Sequence, residues 1–103
     1  MDTVTRLYIV VSSALSAGLK AAQACHATVA FTQSWPELAR AWSEGSNNLV
    51  VLEAADLPPL ADRLEAAGLR VVRFHEPDLA DALTAFVAEP AAARRLSSLP
   101  LAR

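Results

Sequence analysis

The chain has 103 residues, 53 % hydrophobic and 19 % charged, with a formal charge of −2. This excludes a disordered chain and bounds it at one domain, residues 1–103, with a modest core. It also disfavours nucleic-acid binding by bulk phosphate neutralisation, which calls for a basic surface, while leaving room for a local basic patch. No apolar run approaches the roughly 20 residues needed to cross a bilayer. Met1-Asp2-Thr3 lacks the basic start of a secretory signal, and the single cysteine, Cys25, has no internal disulfide partner. The expectation is a cytoplasmic protein without membrane association.

Leu7-Tyr8-Ile9-Val10-Val11 is β-branched and aromatic and reads as a buried strand. A long helix begins at Ser16 or Gly18 and runs to about Gln33. Its small residues, Ala21, Ala22, Ala24, Ala27 and Ala30, let a backbone or a substrate approach closely. Ser34-Trp35-Pro36-Glu37 reads as the capped start of a short helix, with Leu38, Ala41 and Trp42 on one face and a stop near Gly45. Asn47-Asn48 forms a turn before a second buried strand, Leu49–Leu52. Asp56 with Pro58 and Pro59 opens a third helix, in which Leu57, Leu60, Ala61 and Leu64 recur at helical spacing, and Gly68 closes it. Val71–Glu76 is a third strand. A polar loop with Pro77, Asp78 and Asp81 leads to a fourth, Leu83–Val87, before a brief helix over Ala91–Leu96 and a Leu99-Pro100-Leu101 tail.

The order β-α-α-β-α-β-β-α predicts a three-layer α/β/α domain on a four-stranded mixed sheet. Two helical crossovers require largely parallel strands with right-handed connections. The loop of about six residues before the last strand is too short for a crossover, so that strand runs antiparallel. Ligands of such sheets bind beyond the carboxyl ends of the parallel strands, here Ser12-Ser13, Glu53-Ala54 and His75-Glu76.

That edge gathers the residues suited to activating water. The first long helix carries Lys20, Gln23 and His26 at three-residue spacing, and the third strand delivers His75, Glu76 and Asp78. Each has a plainer rival reading. His26 is then a core histidine bonded to a backbone carbonyl, Gln23 a solvated helix residue, Glu76 and Asp78 turn caps, and Thr84 a strand former. His75 alternates with Phe74, so one of the two points outward. Cys25 and His26 diverge by about 100° on the helix, which argues against a thiol–imidazole pair. Two histidines and one cysteine give no recognisable zinc spacing, and three glycines provide no phosphate loop.

Several segments resemble the type II peptidyl-tRNA hydrolases. Gly18-Leu19-Lys20-Ala21-Ala22-Gln23-Ala24-Cys25-His26-Ala27 is similar to that family's G-K-[VI]-A-A-Q-C-[SA]-H-A signature. Tyr8–Val11 lies at the family's distance before it, and Trp42 with Asn48–Leu52 resembles its tryptophan and second strand. Gly68-Leu69 with the third strand resembles G-L-x-V-x-L-[IV]-x-D, and Thr84–Pro90 resembles T-V-L-G-I-G-P. The likeness spans nearly the whole chain. It places His26 at the family's invariant histidine, Gln23 at its glutamine and Glu76 at its functional aspartate, while Thr84 matches the strand motif and not the loop threonine. The expected catalytic residues are then His26 assisted by Glu76 or Asp78, and the expected substrate-binding residues are Lys20, Gln23 and Thr84. The likeness further implies peptidyl-tRNA as the substrate, no metal or organic cofactor, and a homodimer. The family lysine falls on Leu19, with Lys20 one place later. Glu76-Pro77-Asp78 replaces the family's D-A-G-R-T-Q loop, leaving its arginine and threonine without counterparts. Rival functions are a catalytically degenerate binding or dimerisation module and a hydrolase of another small ester. Arg73, Arg94 and Arg95 are the arginines expected to touch phosphate, or else to lie on a solvated face.

Overall fold

A computed structural model describes residues 5–103; the Met1-Asp2-Thr3 start lies outside them. The chain forms β1 (Arg6–Ser12), α1 (Ala17–Ser34), α2 (Pro36–Glu44), β2 (Asn48–Ala54), α3 (Leu57–Ala66), β3 (Val71–Glu76), a 3-10 turn (Pro77–Leu79) and β4 (Ala82–Ala88). A second 3-10 turn (Pro90–Ala92) and α4 (Ala93–Leu96) follow. The strand order is β2-β1-β4-β3. Strands β1, β2 and β3 share one direction, but β4 inserts between β1 and β3 and runs antiparallel to both. The sheet is therefore mixed as expected, with β1–β2 as its parallel hydrogen-bonded pair rather than a largely parallel ladder.

Two apolar clusters, one on each sheet face, make the three layers. Leu7, Ile9 and Val11 of β1 meet Ala24, Ala27 and Phe31 of α1 and Trp42 of α2. Val10 points the other way and meets Leu57, Ala61 and Leu64 of α3 and Leu96 of α4. An unbroken apolar strand is what a centre covered on both faces demands. Strand β2, by contrast, lies at the sheet edge. Leu49 is 43 % exposed, so the second strand is not buried throughout.

Helix boundaries follow capping chemistry, with one reassignment. The Ser16 hydroxyl accepts the Leu19 amide and starts α1. Ser34 is the last residue of α1 and does not cap α2. The Trp35 amide still reaches the Phe31 carbonyl, and Pro36, lacking a donor, begins the next helix. The inward face of α2 is Leu38, Ala39 and Trp42, with Ala41 exposed. The Trp42 indole N–H donates to the Asn48 carbonyl at 2.6 Å, fixing α2 to the start of β2. Helix α3 ends in a Schellman motif, with Leu69 N–H to Leu64 O at 3.1 Å and Gly68 N–H to Glu65 O at 2.9 Å.

Gly68 has φ +84°, and a Cβ there would meet open space, so only backbone strain opposes a side chain. Gly68→Ala should lower stability by about 1–2 kcal/mol. In thermal unfolding this appears as a Tm lower by roughly 4–16 °C for a domain of this size.

Candidate active site

The site begins with an irregularity in β4. Opposite Phe74 and His75 of β3 stand Ala85 and Leu83, so Thr84 is the extra residue of a β-bulge. Strict alternation would send Thr84 to the α3 face, where Phe86 and Ala88 point. The bulge instead turns it toward α1, on the same side as Ala85. There its hydroxyl donates to Gln23 Oε1 at 2.5 Å, and Gln23 Nε2 donates to Glu76 Oε1 at 2.9 Å.

This polar chain has one consistent polarity. An ionised carboxylate only accepts, so the amide must present its NH₂ to Glu76 and its oxygen to Thr84, whose hydroxyl then donates. Gln23 is 1 % exposed and Thr84 2 %. Neither the solvated-face reading of Gln23 nor the plain strand-former reading of Thr84 describes these environments. Burial at this level costs about 1–3 kcal/mol for each polar group left unpaired, so the two side chains hold each other in place.

Glu76, half-buried at the end of β3, also accepts the Asp78 amide at 3.4 Å and so caps the 3-10 turn. The Gln23 hydrogen bond holds its carboxyl below the ordinary glutamate value of 4.5. The Asp78 amide and the charge of His26 act in the same direction, against partial desolvation. A depressed carboxylate pKa makes its contribution to folding complete above the unfolded value. That contribution disappears as the pH falls below 4.5 and through the lowered folded value.

His26 is exposed, so it is not the buried core histidine of the plainer reading. Its ring stacks on Phe74, with centroids 4.8 Å apart and an interplanar angle of 12°. Parallel stacking fixes the imidazole plane and leaves the ring edge, where both nitrogens lie, open to water. Phe74 packs inward on the α1 face, and His75 points outward, its Nδ1 3.0 Å from the Asp81 carbonyl. Asp78 is exposed on the turn. Gln23, Glu76 and Thr84 thus form one bonded group with His26 within its electrostatic reach.

Lys20 lies apart from that group. Its ammonium donates to Glu53 Oε1 and to the Arg103 carbonyl, each at 2.9 Å, beside β2. Arg73 is held by surface ion pairs with Asp62 and Glu65 of α3. Arg94 and Arg95 are exposed on α4, in the α3 layer. Two contributors escaped the sequence reading. Phe74 supports His26, and a signal existed in its alternation with Val72 toward α1. Glu53 pairs with Lys20, and nothing local to β2 pointed to that.

The fold and site together define a mixed-sheet α/β domain with a carboxylate–amide–hydroxyl chain beside an open imidazole at the strand ends. The model of the family Peptidyl-tRNA hydrolase PTH2 matches residues 5–99, and the chain belongs to that family. A search of curated proteins finds no match. No helix among the described residues is long and apolar enough to cross a membrane. Among the same residues, no group of three or more His, Cys, Asp or Glu side chains is placed to hold a metal.

Thr84→Val keeps the shape but leaves Gln23 Oε1 buried and unpaired, and should destabilise by about 1–3 kcal/mol in urea unfolding. Adding Gln23→Leu should cost clearly less than the sum of the two single changes, because both partners are then removed.

Proposed function

We propose that this chain hydrolyses the ester joining a peptidyl or acyl group to the 3′ ribose of tRNA. The single observation that carries this is the buried Thr84–Gln23–Glu76 chain, which presents a fixed carboxylate next to the solvent-open ring of His26. The membership of a peptidyl-tRNA hydrolase family supports the same substrate class.

In this reading a water held at the His26 ring edge attacks the ester carbonyl and passes its proton to the imidazole. Imidazole is the side chain suited to carry a proton near neutral pH. The bond between the carbonyl carbon and the ribose 3′ oxygen then breaks, and that oxygen takes the proton back. Glu76, held below the ordinary glutamate value by the Gln23 hydrogen bond, is a poor proton acceptor and a persistent anion. Its role is to orient the water and stabilise the imidazolium. Asp78, exposed on the adjoining 3-10 turn, is the alternative acid for assisting His26. Gln23 and Thr84 are too deeply buried to touch substrate and act as positioning residues. The reaction scheme uses no metal or organic cofactor.

The domain is inferred to act in the cytoplasm as a homodimer. Exposed Val29 and Leu49, which flank the apolar groove between α1 and β2, support a partner surface there. One observation favours the rival reading of a catalytically degenerate binding module. The Lys20 ammonium is engaged by Glu53 and the Arg103 carbonyl and is not free for an ester. Retained tRNA affinity that falls steeply with salt, without turnover, would favour that module.

Release of peptide from purified peptidyl-tRNA tests the proposal. His26→Ala and Glu76→Gln should each lower kcat at least about 100-fold while the folded state persists. Turnover by His26→Ala equal to wild type would remove the imidazole from the mechanism, and no turnover by wild type would remove the activity.

A further inference from the structure

Residues 100–103 lie beyond the segment matched to the family and run antiparallel along the outer edge of β2. The Glu53 amide donates to the Pro100 carbonyl at 3.0 Å, and the Ala102 amide donates to the Val51 carbonyl at 2.9 Å, with Leu101 facing Leu52. At the next residue side chains take over. Glu53 Oε1 accepts the Arg103 amide, and Lys20 Nζ donates to the Arg103 carbonyl, both at 2.9 Å. The Lys20–Glu53 pair is itself closed at 2.9 Å, and Lys20 is 9 % exposed. A cavity of about 210 Å³ lies beside it, lined by Lys20 and Arg103 together with Ala17, Ala21, Ala24, Val51 and Ala102.

We propose that the outer edge of β2, with Lys20 and Glu53, is a binding subsite for extended peptide, which residues 100–103 occupy in cis. The clamp takes both backbone polar groups of one residue, its N–H on Glu53 and its C=O on Lys20, and leaves the side chain outside. Main-chain ladder bonds plus a backbone clamp recognise a strand whatever its sequence. That is the chemistry suited to a substrate whose peptidyl part varies, so the proposal rests on the hydrolase reading above. A strand on the outer edge of β2 stands four interstrand spacings from β3, about 19 Å, so about six further extended residues lead from the clamp to Glu76. Lys20 acts here on the peptide rather than on the ester.

The test uses the full chain carrying Ala102→Pro, which removes the donor to Val51 and frees the edge. Adding acetyl-Pro-Leu-Ala-Arg-amide should shift the Val51, Leu52 and Glu53 amide resonances saturably. Wild type should respond at least tenfold more weakly, because its own segment competes at an effective concentration in the millimolar range. The same peptide N-methylated at its alanine should not bind. A folded Ala102→Pro protein whose β2 amides stay unmoved, or equal binding of the methylated peptide, overturns the subsite. Should Ala102→Pro fail to fold, Lys20→Met in the otherwise intact chain decides. Hydrogen exchange at the Ala102 amide should then quicken at least tenfold, and unchanged exchange overturns the clamp. Peptide binding without ester hydrolysis would leave the subsite standing and sink the proposed activity, and hydrolysis without peptide binding would do the reverse.

Discussion

The extra residue in β4 is the constraint on which the site depends. Without the bulge, Thr84 would face the α3 layer, and Gln23 would be buried beneath α1 with its carbonyl oxygen unanswered. With it, a hydroxyl, an amide and a carboxylate from three different elements close into one chain. Bulges re-aim a side chain at the cost of a ladder pairing. Here the re-aimed side chain is what allows a buried glutamine to hold a partly solvated carboxylate at the end of β3.

Helix α1 makes this arrangement twice, in different currencies. Its two buried polar side chains, one helical turn apart, reach carboxylates at the carboxyl ends of two strands. Lys20 meets Glu53 on β2 through charge, and Gln23 meets Glu76 on β3 through a neutral amide. In both cases a hydrogen bond from the helix residue is the largest cause that holds the carboxyl below its ordinary value. The difference matters chemically. A lysine neutralises the charge of Glu53, whereas an amide leaves the negative charge of Glu76 intact for water or for His26. The reactive end of the sheet is thus set by which helix side chain meets which acid.

Much of this was legible in the residues. Strand β3 falls on Val71–Glu76 as its β-branched run predicts, Gly68 takes the left-handed turn, and the layer order follows from the succession of elements. Strand order was less legible. The insertion of β4 between β1 and β3 is a long-range pairing, and no local pattern encodes it. The edge position of β2 and the exposure of Leu49 follow from that pairing. At the site, sequence spacing brought Gln23, His26 and Glu76 to one edge. It named Thr84 but not its contact with Gln23, because alternation along β4 assigns that side chain to the other face and the bulge that re-aims it has no local signal. The Ser34 cap failed for a local reason. A proline at the second position after a serine marks the start of a helix equally well when the preceding helix runs right up to it.

Gln23, oriented by Thr84, holds the Glu76 carboxyl below its ordinary value and in one position. The most direct measurement is the pH titration of the Glu76 side-chain carboxyl by carbon NMR in wild type and in Gln23→Leu. Wild type should titrate below the ordinary glutamate value of 4.5, and the variant should titrate measurably higher, since the largest lowering contribution is gone while partial desolvation remains. Identical midpoints in the two proteins, or a wild-type midpoint above 4.5, would contradict it.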